Sequence, residues 1–122
     1  MGLDITTFVA GDEGRAELSE QAIELKQGDH QILGHLLLSQ PETCKRFVFL
    51  ELPVGWSKEY VFTDRRQLCV CLSGQLRFKT TDGSIATFSP GDVWRYQDKD
   101  TTGLTAEVVG EDPVTCLLVQ LD

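Results

Sequence analysis

Histidine is scarce in this sequence: His30 and His35 are the only two, and none follows His35. A histidine-rich metal centre in the C-terminal two thirds is therefore excluded. Positive charge is also short. Lys plus Arg number 11 against 19 for Asp plus Glu, a net charge of −8. A phosphate backbone is repelled by such a field. A basic cluster such as Arg65-Arg66 is too short for an electrostatic footprint. Neither nucleic acid nor a membrane is expected as a partner. No apolar run approaches the roughly 18 residues a membrane helix needs. No C-x-x-C pair occurs among Cys44, Cys69, Cys71 and Cys116, which removes zinc-ribbon and thioredoxin readings. Residues Met1 to Ala10 carry Asp4 and no basic residue, unlike a secretory signal. Reduced cysteines in a cytoplasm are the expectation.

What is present suits one small globular domain. Apolar residues make up 41% and charged residues 25% of 122, close to the globular average. Repeats, low-complexity stretches and inter-domain linkers are not seen. Turn signals recur at Gly28-Asp29, Pro53-Val54-Gly55, Ser73-Gly74, Asp82-Gly83 and Pro90-Gly91-Asp92. Short runs rich in β-branched and aromatic residues separate them, and this rhythm predicts a sandwich or barrel. Strands are expected at 46–52, 67–72, 75–79, 84–88, 92–96, 105–109 and 114–121. The run Gln67–Leu72 is apolar nearly throughout, as for a strand buried on both faces. Gln75–Lys79 alternates, as a half-solvated strand should. Asp82-Gly83 supplies the positive φ of a tight hairpin. Segments 19–26 and 31–38 are read as strands too.

Four pieces of the sequence carry a family resemblance. They are Pro53-Val54-Gly55-Trp56, Arg65-Arg66-Gln67 with Gly74 beyond it, Leu72-Ser73-Gly74-Gln75-Leu76, and Asp82-Gly83 with Phe88-Ser89-Pro90-Gly91-Asp92-Val93. In order and spacing they resemble the motifs of the cupin superfamily. The resemblance implies an all-β, cupin-like double-stranded β-helix (jelly-roll) barrel in one domain. Residues 1–44 would supply N-terminal strands and 45–122 the barrel core. It also implies a homodimer in which an N-terminal strand completes the neighbour's sheet.

Most cupins hold a metal through histidines and one Glu or Gln. Here Gln67 falls at the Glu/Gln place, but Val61, Thr63 and Leu104 fall where the histidines belong. A transition-metal site needs about three or four donors from His, Cys, Asp or Glu. The resemblance thus implies the scaffold without the usual cofactor, and no cofactor is expected. A small organic molecule bound in the barrel is the first reading. Val61, Thr63, Gln67, Cys69, Leu104 and Trp56 are its candidate binding residues, Gln67 the polar anchor and Trp56 a cap on one mouth. Tyr60, Phe62, Trp94 and Tyr96 are candidate walls. Arg66 and Arg95 could attract a carboxylate or sit solvated at the surface. The alternative is an enzyme, an isomerase, epimerase or dioxygenase with a non-standard Cys/His/Gln site. Gln67, Cys69 and Cys71 share one strand face. With Cys116, His30 or His35 they could hold a soft metal, or simply fill the barrel's narrow end. His30 reads as a loop residue and His35 as a core or edge histidine, with no acid evident beside it.

Overall fold

Alternating side chains decide which surface of each strand faces inward. The computed structural model describes residues 2–63 and 65–122, with the side chains of residues 60–63 outside the description. Twelve strands are described: β1 (Gly2–Ala10), β2 (Ala16–Glu24), β3 (Lys26–His30), β4 (Gly34–Leu38), β5 (Arg46–Leu52), β6 (Ser57–Thr63), β7 (Gln67–Ser73), β8 (Gln75–Lys79), β9 (Ile85–Phe88), β10 (Val93–Tyr96), β11 (Thr101–Val109) and β12 (Val114–Gln120). No described helix is long and apolar enough to cross a membrane.

The strands form a six-stranded sheet ordered β2-β1-β10-β7-β12-β5 and a four-stranded sheet ordered β6-β11-β8-β9. The hairpin β3-β4 stands apart from both. The two N-terminal strands are built into the larger sheet. β1 runs parallel to β10, pairing Thr6 with Trp94 and Phe8 with Tyr96, and β2 returns antiparallel along β1. The expectation of an all-β barrel is met, and segments 19–26 and 31–38 fall on β2, β3 and β4 as read.

The core lies between the sheets. Leu76 and Phe78 of β8 are buried while Gln75, Arg77 and Lys79 are exposed, as period-two patterning demands. Strand β7 departs from expectation. Cys69 and Cys71 on its inner face are fully buried, but Leu68 and Val70 are half-buried and Leu72 is exposed. The outer face of the large sheet is incompletely covered, so this strand is buried on one side only. Gly74 joins β7 to β8 at φ 77°, and a Cβ there would lie 2.4 Å from the Pro113 carbonyl oxygen. Glycine is required by both conformation and space.

Five rings fill the interior. Phe78 lies 5.2 Å from Phe8, 5.7 Å from Phe88 and 5.8 Å from Trp94 between ring centroids. Phe88 stacks on Trp94 at 4.5 Å, and Phe8 stacks on Tyr96 at 5.6 Å. Such pairs add about 0.5–1.5 kcal/mol each beyond the area they bury. Phe78 joins rings from both sheets, so its truncation leaves a void with four aromatic walls. Phe78→Ala is expected to cost about 3–5 kcal/mol in urea denaturation. A loss below about 1 kcal/mol would mean the rings do not pack as a unit.

Candidate functional site

The link between β6 and β7 marks one end of the barrel. Leu104 pairs with Val61, and Thr101 with Thr63, across β11 and β6. Gln67 sits in register between Tyr96 of β10 and Gln120 of β12. Val61, Thr63, Gln67 and Leu104 therefore occupy strand positions at this one end. Cys69 lies one pleat deeper on the face it shares with Gln67. Trp56 is elsewhere: its carbonyl accepts from the Val108 N–H, towards the other end of β11. It is half-buried and packs on the core, as a cap on that far mouth. The side chains of Tyr60, Val61, Phe62 and Thr63 lie outside the described residues, as does Asp64.

Leu104 is 1% exposed and Cys69 0%, so both belong to the filled interior. Trp94 and Tyr96 are core rings too. Gln67 is different. It is half-buried, and its buried Oε1 has no hydrogen-bond partner among the described residues. A buried acceptor left unpaired costs about 1–3 kcal/mol. A donor arriving at this mouth would satisfy it. Beside the same end, Lys45, Arg46, Arg65, Lys99 and Asp122 line a shallow cleft of about 470 Å³. Arg46 and Arg65 both donate to Gln120 Oε1. Arg66 donates to Asp122 at 2.9 Å, and Lys99 lies 3.5 Å from the same carboxylate. Those partners hold the Asp122 carboxyl well below the usual range, the Arg66 hydrogen bond most strongly. Folding brings Arg65 together with the pair Lys45-Arg46 and with Lys99, from distant positions in the sequence.

The cysteine and histidine groups are not brought together. Cys71 pairs in register with Cys116 inside the barrel. Burial raises all three inner thiols, Cys116 to about 12. A thiolate, the form that binds metal or attacks carbon, is disfavoured there. His30 and His35 stand outside on the β3-β4 hairpin. His30 Nδ1 accepts from the Ile32 and Leu33 N–H groups in the turn. His35 is exposed on an edge strand rather than in the core, and an acid does lie beside it: Asp29 Oδ1 is 3.1 Å from its Nδ1. Asp29 and His35 are opposite each other on a hairpin exposed to water, a pairing that linear spacing does not reveal. Among the described residues, no group of three or more His, Cys, Asp or Glu is placed to hold a metal ion.

Arg95 also departs from a solvated surface arginine. It is 4% exposed on the outer face of the large sheet, forked onto Glu42 at 3.0 and 2.6 Å. In the sheet it lies in register between Thr7 and Leu68.

No family model matches the chain, and no curated protein matches its sequence. Solved structures do. The cupin domain of Drosophila melanogaster CENP-C matches with a TM-score of 0.52 at 9% identity, over 80% of this chain and 75% of that one. The chain has a cupin fold. A predicted oxalate decarboxylase from Thermotoga maritima matches with a TM-score of 0.51 at 17% identity, over 81% of this chain and 92% of that one. The DMSP lyase DddQ from Ruegeria pomeroyi matches with a TM-score of 0.51 at 13% identity. That match covers 62% of this chain, which spans 37% of the lyase's length. Enzymes are thus among the neighbours, and at these identities the likeness extends to the fold alone.

The cupin fold implies a metal at the mouth, and the donors here do not fit one. Leu104 contributes hydrocarbon and Gln67 a neutral amide, while the sequence puts Val61 and Thr63 at the remaining places. The strand register nevertheless keeps these positions adjacent. The triple variant Val61→His, Thr63→His, Leu104→His is expected to gain near-stoichiometric nickel or zinc by elemental mass spectrometry. A folded triple variant that binds neither metal would show that the positions are misaligned.

Proposed function

We propose that this cupin-fold chain is a metal-free binding protein that holds a small organic molecule at the Gln67 end of its barrel. The observation that carries this reading is the orphaned Gln67 Oε1 at the mouth. It accepts an N–H or O–H from the ligand. The cations of the adjacent cleft meet a negative group on the same molecule. That charge pattern favours a small organic anion over a neutral compound, since cationic rims concentrate anions even on an acidic protein. Leu104 and Cys69 form the floor and carry no catalytic group. Barrel mouths commonly hold such ligands. The free cysteines support a reducing, cytoplasmic setting.

A thermal-shift screen of small organic acids tests the reading. A binder at 100 times its Kd raises stability by about 2.7 kcal/mol. Gln67→Leu is expected to abolish that shift. The unliganded variant should match or exceed wild type by up to about 1 kcal/mol, because an unpaired acceptor is gone. Near-stoichiometric metal in protein purified without chelators, together with turnover, would overturn the proposal in favour of an enzyme.

The chain is also proposed to be a homodimer. Strand β5 is an edge of the larger sheet and exposes Phe47 at 63% and Phe49 at 61%, two rings in edge contact at 5.9 Å. Edge strands of this kind invite pairing unless covered. Pairing of two copies along β5 extends the sheet and buries both rings. Light scattering is expected to give the dimer mass for wild type and the monomer mass for Phe49→Arg. A wild-type monomer at 100-micromolar order would refute it, since about that concentration saturates even weak dimers.

A further inference from the structure

A second site lies away from the barrel mouth, on the outer face of the six-stranded sheet. A groove of about 710 Å³ runs between that face and the chain entering and leaving the β3-β4 hairpin. Apolar side chains form much of its wall: Ile5, Ile23, Leu25, Leu38 and Leu68. Polar residues line it as well, among them Glu24, Lys26, Gln27 and Glu42, and two of the polar ones have a buried atom without a partner among the described residues. Arg95 has a side chain only 5% exposed, and its buried Nε has no acceptor there. Gln21 is half-buried, and its buried Oε1 has no donor there. The two stand on β10 and β2, either side of β1, opposite Thr7 and Ile5, which puts their backbones about 12 Å apart at ordinary strand spacing and rise. Long side chains close much of that gap.

These two shortages are complementary. The Arg95 guanidinium keeps one N–H, at Nε, without an acceptor beside its Glu42 fork, and the buried amide oxygen of Gln21 lacks a donor, both among the described residues. Glu42, half-exposed on the segment between β4 and β5, already places a carboxylate on the Arg95 fork. It shows what the fork accepts, and it is held by a loop rather than a sheet. We propose that the groove binds an apolar carboxylic acid with an amide N–H beside the carboxylate, of the N-acyl amino acid class. The ligand carboxylate takes the Arg95 guanidinium in place of Glu42. The amide N–H donates to Gln21 Oε1. The acyl chain lies along the Leu25, Leu38 and Leu68 walls. A buried arginine suits this task because its planar fork fits a carboxylate and keeps its charge.

The test is titration of N-octanoyl-leucine by calorimetry and by amide chemical shifts. Wild type is expected to bind saturably, with shifts centred on Ile23, Leu25 and Leu68. N-octanoyl-leucinamide, without the carboxylate, should bind about tenfold more weakly or worse, the order expected for losing a charge-assisted hydrogen bond. Glu42→Gln should bind several-fold tighter, because its own carboxylate no longer competes. Arg95→Gln should lose about tenfold or more. Should that variant not fold, Gln21→Leu decides. Wild type should prefer the N-acyl acid over the matching O-acyl ester acid, which lacks the N–H, and Gln21→Leu should lose that preference. Absence of binding to both wild type and Glu42→Gln overturns the proposal. So does equal affinity for the leucinamide, or shifts confined to the Gln67 mouth or to β5.

Discussion

The filling of the interior by rings is the constraint on which the rest of the molecule depends. Phe8 comes from β1, Phe78 from β8, Phe88 from β9, and Trp94 and Tyr96 from β10. Each points inward because its strand alternates. Together they occupy the space between the two sheets, so a guest has no room at mid-height. Chemistry is pushed to the rim and to the outer surface. Three of the four buried side-chain polar atoms without partners among the described residues lie at those places, Gln67 at the mouth and Gln21 and Arg95 beneath the hairpin arm, while the fourth, Trp94 Nε1, is in the core. The core's own demand for volume thus determines where binding is permitted.

Much of the architecture was legible because local signals and global packing agree. Asp82-Gly83 forms the β8-β9 hairpin, with Asp82 Oδ1 accepting from the Ser84 N–H at 3.0 Å. Gly74 turns where only glycine fits. Cys69 and Cys71 share the inward face that Gln67 begins. Segments 19–26 and 31–38 were legible as strands, whereas Gly2–Ala10 was not read as one, and the pairing of none of them was legible. The parallel contact of β1 with β10 joins segments at opposite ends of the sequence, and no local pattern encodes that choice.

The site was legible only in outline. The resemblance to the cupin motifs implied one end for Gln67, Val61 and Leu104, and the strand pairing puts them there. Trp56 went to the far mouth, since a residue before β6 and one near the end of β11 are neighbours only once the sheet is paired. Arg95 reads as a surface charge in β10, where Trp94 and Tyr96 alternate with it as inward residues. It is buried because the segment bearing Glu42 folds back over it, a contact across 53 positions. The basic cleft has the same origin: its cations are dispersed in sequence and gathered by β5, β12 and the loops beside them.

The parallel placement of β1 has a consequence for how the chain is made. During synthesis, β1 is made before β10 and until then has only β2 to pair with. Residues 93–96 follow more than 80 positions later, and until then Phe8 lacks Tyr96, the ring stacked on it. Loop closure over that span is entropically costly, and non-local strand pairing slows folding. The nascent β1-β2 hairpin therefore waits with one side of its aromatic face open, and the sheet closes over it only once β10 has been made.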